Sequence, residues 1–275
     1  MNRPPLLSEL APRRDSTFLV IFAGGVLLNL LLGGLYAIGF RLAHLTTDGK
    51  LAALDLDSEG SIASWCGIVL LFLCGLATLL VRRLRVAAGC SPSERRLWLA
   101  VSFLWFTMSL DEGASLHEAF KELMSRLTGT RILGDGSIYW AVPYFLLLSA
   151  SGLFILRAAR RCPAAIICLL SAGITYAIAV IAQFELLLGN QPAVETWIEE
   201  SCEMLGGLFI LLTLGLYARS VVVDLERPTV IAGNAGTSEQ RHDESDDTLV
   251  IETPNTRTGP HWNRTKHATK RSTRV

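Results

Sequence analysis

The sequence predicts an all-α integral membrane protein, a polytopic bundle of six transmembrane helices, and three observations support this fold class. First, 51% of the residues are hydrophobic and the mean hydropathy is +0.40. Second, only 18% are charged, below the roughly one quarter that is typical of soluble domains. Third, the charges are concentrated between long apolar runs. The short alternating segments of a β-barrel are absent, so helices must satisfy the backbone within lipid.

Six apolar segments reach or approach the roughly 20 residues that a helix needs to cross the hydrocarbon core. They are residues 17–40, 62–82, 97–117, 138–157, 163–187 and 199–219. The first follows Arg13 and Arg14 but is too long for the apolar region of a signal peptide, so we expect an uncleaved span. Before the third, Ser91, Pro92 and Glu94 provide an N-cap, a first-turn proline and a capping-box carboxylate, so that helix is predicted to begin there.

The distribution of basic residues predicts the orientation in the membrane. Most of the 25 Lys and Arg residues lie in the N-terminal segment, in the loops after the second and fourth spans, and after the last span. The positive-inside rule therefore predicts a multi-pass protein of the inner or plasma membrane with both termini in the cytoplasm. The formal net charge is zero, so no basic field is available to attract nucleic acid, and the bilayer itself is the predicted partner.

The chain changes character after the last span. Residues 1–222 are the predicted transmembrane domain, and residues 223–275 are rich in Thr, Ser, Asp, Asn, Arg and His. Such a segment cannot bury enough apolar surface to fold alone, so a disordered cytoplasmic tail is predicted. Its basic end, residues 261–275, has two open interpretations: attraction to an anionic inner leaflet, or simple solubilisation.

Acidic residues are concentrated at the ends of three spans that the topology brings to one face of the membrane. The third span ends with Asp111, Glu112, His117 and Glu118, and the fifth ends with Glu185. The sixth begins with Glu199, Glu200 and Glu203. At a rise of about 1.5 Å per residue, the acids of the third and sixth spans reach similar depths in the outer half of the core. At 100° per residue, Asp111, Ser115, Glu118 and Glu122 form one stripe of the third helix, with Glu112 and His117 flanking it. Glu195, Glu199 and Glu203 form a stripe on the sixth helix that would face it.

These carboxylates need compensation, because a charge at the bilayer centre costs about 2.5–3.5 kcal/mol and no Lys or Arg lies within a span. Carboxylates with an imidazole suit a divalent metal such as Zn, Mn or Fe. The predicted metal ligands are Asp111, His117, Glu118, Glu199 and Glu203. Glu112 and Glu200 are the predicted general bases for a metal-bound water, which would make the protein a hydrolase of a lipid-like substrate facing the extracytoplasmic side.

Two other interpretations remain open. The carboxylates could take up protons or cations in a coupled transport or sensing protein. Alternatively, the protein could be a non-catalytic membrane subunit, in which Ser109 and Glu112 form a capping box for a new juxtamembrane helix. The Glu-x-x-His spacing of di-iron bundles is missing, since Ala114 stands three residues before His117.

Two short motifs carry a resemblance. S-L-D-E-x4-H-E at residues 109–118, followed by E-E-x-x-E-M-L-G at residues 199–206, resembles a group of uncharacterised bacterial polytopic membrane proteins. The resemblance implies that these two segments belong together. It implies no particular reaction.

Overall fold

The computed structural model is helical, as the sequence predicts. It describes residues 12, 14–47, 51–56, 58, 60–132, 136–184, 187–188 and 191–239, with side-chain surroundings as far as Glu226. Within these residues there is no β-strand. The chain divides into two units, residues 1–229 and 230–275, and the first contains the helical bundle.

Seven α-helices lie within the described residues. They are α1 (Asp15–Leu42), α2 (Ile62–Ala87), α3 (Pro92–Ala114), α4 (Leu116–Thr128), α5 (Ile138–Ala158), α6 (Pro163–Gln183) and α7 (Pro192–Glu239). Two short 3-10 helices, Ala43–Leu45 and Ala52–Leu54, lie between α1 and α2.

Five of these helices are long and apolar enough to cross a membrane: α1, α2, α5, α6 and the Ala193–Glu226 part of α7. The membrane-spanning fold class is therefore confirmed. The remaining predicted span corresponds to α3, whose 23 residues give a length of about 34 Å. Its last turns contain Asp111 and Glu112, which lower its mean hydropathy.

The predicted end of the third span is wrong. Residues 97–117 were expected to form one helix, but α3 ends at Ala114 and a separate helix, α4, begins at Leu116. Ser115 between them has φ +54°, in the left-handed region, where a right-handed helix cannot continue. His117 and Glu118 therefore belong to α4 and not to the span.

The last helix extends beyond the predicted domain boundary at residue 222, as far as Glu239. Residues 240–275 lie outside the described part of the chain, so the disordered tail stays a prediction there. Glu185, predicted near the acidic cluster, also lies outside the described residues.

The start of α3 joins two helices through one carboxylate. Ser91 Oγ accepts the Glu94 N–H at 3.2 Å, so the predicted N-cap is confirmed. The Glu94 carboxylate accepts from Arg85 of α2 at 2.7 Å and from the Trp98 indole at 3.3 Å.

Aromatic packing fixes the same end of the bundle. Trp98 is completely buried, with its ring 4.7 Å from that of Phe154 in α5 and 5.7 Å from that of Tyr217 in α7. Rings of this size bury a large apolar area, so these contacts hold α3 between α5 and α7. The register of α3 against its neighbours then determines which acidic residues meet at its other end.

Candidate functional site

The junction between α3 and α4 is organised by Asp111. The Ser115 N–H donates to the Asp111 carbonyl at 2.8 Å and closes α3. The His117 N–H, in the first turn of α4, donates to Asp111 Oδ1 at 2.6 Å. The same residue therefore ends one helix and caps the next, satisfying an amide that would otherwise lack a partner. A separate helix therefore follows α3, as one interpretation of the sequence expected. Its first turn is capped by the Asp111 carboxylate, and not by a capping box of Ser109 and Glu112.

The Asp111 side chain is buried and is surrounded by donors. The Tyr144 hydroxyl of α5 donates to Asp111 Oδ2 at 2.5 Å, and His117 Nδ1 lies 3.3 Å from the same oxygen. One carboxylate thus contacts a backbone amide, a phenol and an imidazole. Donors of this kind stabilise a buried carboxylate, and here they also fix α5 against the α3–α4 junction.

An aromatic wall completes this cluster. The Trp140 ring lies 5.2 Å from the His117 ring and 5.9 Å from the Tyr144 ring. The buried Trp140 Nε1 has no hydrogen-bond partner among the described residues. We call Asp111, His117, Trp140 and Tyr144 the Asp111 cluster. Its two aromatic members occupy positions i and i+4 of α5, on one face of that helix.

Glu118, a predicted metal ligand, has a cationic partner instead. Lys121 Nζ lies 2.7 Å from Glu118 Oε1 and 2.6 Å from Oε2, and Lys121 is buried. His117 Nε2 lies 3.9 Å from Glu118 Oε1. No Lys or Arg lies within a predicted span, and Lys121 lies in α4, after the third span. It nevertheless brings a positive charge to the site.

A second group of carboxylates lies where α3 meets α7. Glu203 lies within electrostatic range of Glu112, Glu199 and His117. The Glu112 carboxylate rests on α2, where its Oε1 would be 3.4 Å from a β-carbon added to Gly67. We call Glu112 and Glu203 the carboxylate pair. His117, a member of the Asp111 cluster, lies within electrostatic range of Glu203, so we describe the pair and the cluster as one site.

Tyr176 of α6 lies beside the carboxylate pair. Its ring packs on α7 so closely that a β-carbon on Gly206 would lie 2.8 Å from it, and its hydroxyl would lie 3.8 Å from one on Gly207. Tyr176 is within electrostatic range of both Glu112 and Glu203. The small residues of α7 therefore admit a phenol beside the carboxylate pair.

The facing stripes that the sequence predicted are not formed as expected. Asp111 contacts α5 through Tyr144, whereas its neighbour Glu112 lies within range of Glu203 on α7. Glu199 also lies within electrostatic range of Glu203, and the role of these two residues as metal ligands stays a prediction. Glu200, the other predicted general base, is half-buried on α7. Among the described residues, no three His, Cys, Asp or Glu side chains are arranged to hold a metal ion.

Sequence reasoning missed Tyr144, Tyr176 and Lys121. A signal for the two tyrosines was present, because a phenol in the middle of an apolar span needs a hydrogen-bond partner. A signal for Lys121 was present as well, because opposite charges three residues apart, here Glu118 and Lys121, are neighbours on a helix.

The fold and the site together define a polytopic helical membrane protein with a carboxylate, histidine and tyrosine site at one end of its bundle. The family model described as "Domain of unknown function (DUF8692)" matches residues 17–218, and the chain belongs to this family. The matched region contains both acidic motifs, which is consistent with the resemblance to uncharacterised membrane proteins. The chain matches no curated protein and no solved structure.

Proposed function

We propose that the carboxylate pair binds protons, or one small cation, and that the protein is a proton- or cation-coupled transport or sensing protein. The observation that carries this proposal is that Glu112 of α3, whose carboxylate rests against Gly67 of α2, and Glu203 of α7 lie within electrostatic range of each other inside a membrane bundle. Two like charges in a medium of low dielectric constant repel strongly. A proton or a cation bound between the two carboxylates removes that repulsion.

The surroundings of the pair support exchange with the exterior of the bundle. His117 lies within electrostatic range of Glu203, is close to Asp111 and Glu118, and belongs to the first turn of α4, whose first residue is exposed. Imidazole is the side chain that changes charge most readily near neutral pH. Under the predicted orientation, this end of the bundle faces the extracytoplasmic side.

The rival is the metal-dependent hydrolase of a lipid-like substrate that the sequence suggested, with Glu112 or Glu200 as the general base. The geometry favours it less, because two of its five ligands already have other partners. Asp111 accepts from Tyr144, and Glu118 pairs with Lys121. Both would have to release these contacts before binding Zn, Mn or Fe.

The experiment compares wild type with Glu112→Gln and Glu203→Gln in detergent, by thermal unfolding between about pH 5 and pH 9, with and without a chelator. Glutamine keeps the shape of the acid but cannot exchange a proton. We expect the unfolding temperature of wild type to depend on pH, and this dependence to flatten in both variants. Chelator should change none of the curves. Glu226→Gln is the matched control, because it removes an exposed carboxylate from the same helix.

Two results would contradict the proposal. If all four proteins have the same pH profile, the pair has no role in proton binding and the structural interpretation is favoured. If elemental analysis finds one metal per chain that Glu203→Gln loses, and chelator lowers the stability of wild type, then the hydrolase interpretation replaces ours.

A further inference from the structure

A second candidate site lies at the opposite end of α3. A cleft of about 490 Å³ opens beside the start of α3, the end of α5 and the turn into α6. Glu94 borders this cleft, and the 17 residues from Glu94 to Asp111 correspond to roughly 25 Å along the helix axis. The cleft is therefore separate from the carboxylate site, and an inference about it does not depend on the proposed function.

The cleft carries an excess of positive charge. Four arginines and two carboxylates border it: Arg85, Arg157, Arg160, Arg161, Glu94 and Asp224. Arg85 is held by Glu94 through two hydrogen bonds of 2.7 and 3.2 Å, so these two charges balance. The other three guanidinium groups form no ion pair with the described part of the chain. Guanidinium donors arranged around a cleft match the oxygens of a phosphate group.

The cleft also lies at the end of a surface that faces lipid. α5 is a membrane-spanning helix with large apolar side chains on its exterior, including Phe145, Leu146 and Leu153, which are 52–65% exposed. Phe154 and Tyr217 form an aromatic border of the cleft. The arginines follow directly where this apolar surface ends, at the level where the phosphates of a bilayer lie.

We propose that this cleft binds the phosphate headgroup of an anionic phospholipid, with the acyl chains lying along α5. The volume is within the roughly 300–1,000 Å³ of ordinary ligand sites, enough for a phosphoglycerol headgroup. Basic pockets between transmembrane helices are known to select anionic headgroups. Under the predicted orientation, the lipid belongs to the cytoplasmic leaflet.

The test measures thermal unfolding in micelles that contain increasing phosphatidylglycerol, with phosphatidylcholine as the neutral lipid. One variant replaces Arg157, Arg160 and Arg161 by glutamine. The matched control replaces Arg83, Arg95 and Arg96, which are exposed, lie at the same end of the bundle and do not border the cleft. Both variants lose three positive charges, so non-specific attraction to an anionic micelle weakens equally.

We expect phosphatidylglycerol, and not phosphatidylcholine, to raise the unfolding temperature of wild type and of the control. The cleft variant should need about a hundredfold more phosphatidylglycerol for the same shift, since each of the three basic residues contributes about fivefold to headgroup binding. Native mass spectrometry should show a retained phosphatidylglycerol in wild type and the control, and its loss from the cleft variant.

Three outcomes would overturn the proposal. Equal weakening in both variants would mean that the arginines act only as a diffuse positive surface. An equal shift with inorganic phosphate, at similar concentration, would indicate a site for a soluble anion instead of a lipid. If the triple variant does not fold, the single substitutions Arg160→Gln and Arg161→Gln decide, and unchanged phosphatidylglycerol dependence in both would reject the site.

Discussion

Replacing Tyr144 by phenylalanine removes one hydroxyl from the most constrained part of the site. That hydroxyl donates at 2.5 Å to Asp111 Oδ2, and Asp111 is buried at the α3–α4 junction. Phenylalanine keeps the ring and its contact with Trp140, so the variant isolates the loss of one donor to a carboxylate. The Asp111 oxygen then keeps the His117 imidazole, whose Nδ1 lies 3.3 Å away.

The expected cost follows from the type of hydrogen bond. A hydrogen bond to a charged group contributes about 1.5–3 kcal/mol to stability, and the buried acceptor that loses it cannot turn to water. For a chain of this size, each kcal/mol corresponds to about 2–4 °C in the unfolding temperature. Tyr144→Phe should therefore lower the unfolding temperature by about 3–12 °C.

Thermal unfolding in detergent measures this, with Tyr139→Phe as the control. Tyr139 loses the same hydroxyl from the same helix, but its bond to Thr128 Oγ1 at 2.7 Å is exposed, so a change of about 2 °C or less is expected. A double-mutant cycle with Asp111→Ala completes the test, because Tyr144→Phe should cost little once the carboxylate is absent. A neutral Tyr144→Phe, or strictly additive effects in the cycle, would refute the role given to this contact.

Two further substitutions test the backbone that builds the site. Ser115→Gly should raise the unfolding temperature by about 1–4 °C, because glycine adopts the observed φ of +54° without the strain of a side chain; a lower temperature would contradict the left-handed junction. Gly206→Ala should cost about 1–3 kcal/mol, since its β-carbon would meet the Tyr176 ring at 2.8 Å. Gly24→Ala, where nothing lies within 4 Å, should be neutral by the same unfolding measurement, and equal effects of the two would disprove the close packing.

The sequence was sufficient for the fold class because the bilayer imposes simple requirements. Long apolar runs predicted spanning helices, and Ser91 with Pro92 identified where α3 begins. The end of α3 was not predictable in the same way. Helical periodicity predicted an unbroken helix through residue 118. The left-handed conformation of Ser115 could not be predicted, since serine rarely adopts it.

The site was only partly predictable for a related reason. The predicted topology placed acids of the third and sixth spans in one region, and Glu112 and Glu199 lie within electrostatic range of Glu203. Which acid meets which partner depends on the rotation of each helix about its axis. Packing determines that rotation, as where Trp98 lies between Phe154 and Tyr217. The sequence of a span that faces lipid contains little information about the rotation, because its lipid-facing and protein-facing sides are both apolar.

Asp111 and Glu112 are adjacent in sequence and yet have different surroundings, because successive residues of a helix point about 100° apart. Asp111 faces α5, where Tyr144 and the amide of His117 hold it, so its loss should weaken the bundle at every pH. Glu112, whose carboxylate rests against α2, lies within electrostatic range of Glu203 on α7, so its neutralisation should remove repulsion and change the response to pH. The adjacent acids of the first motif thus separate into one carboxylate that joins helices and one that lies within electrostatic range of a second carboxylate. A chain in which Asp111→Asn and Glu112→Gln produced the same pH profile would show that this division is wrong.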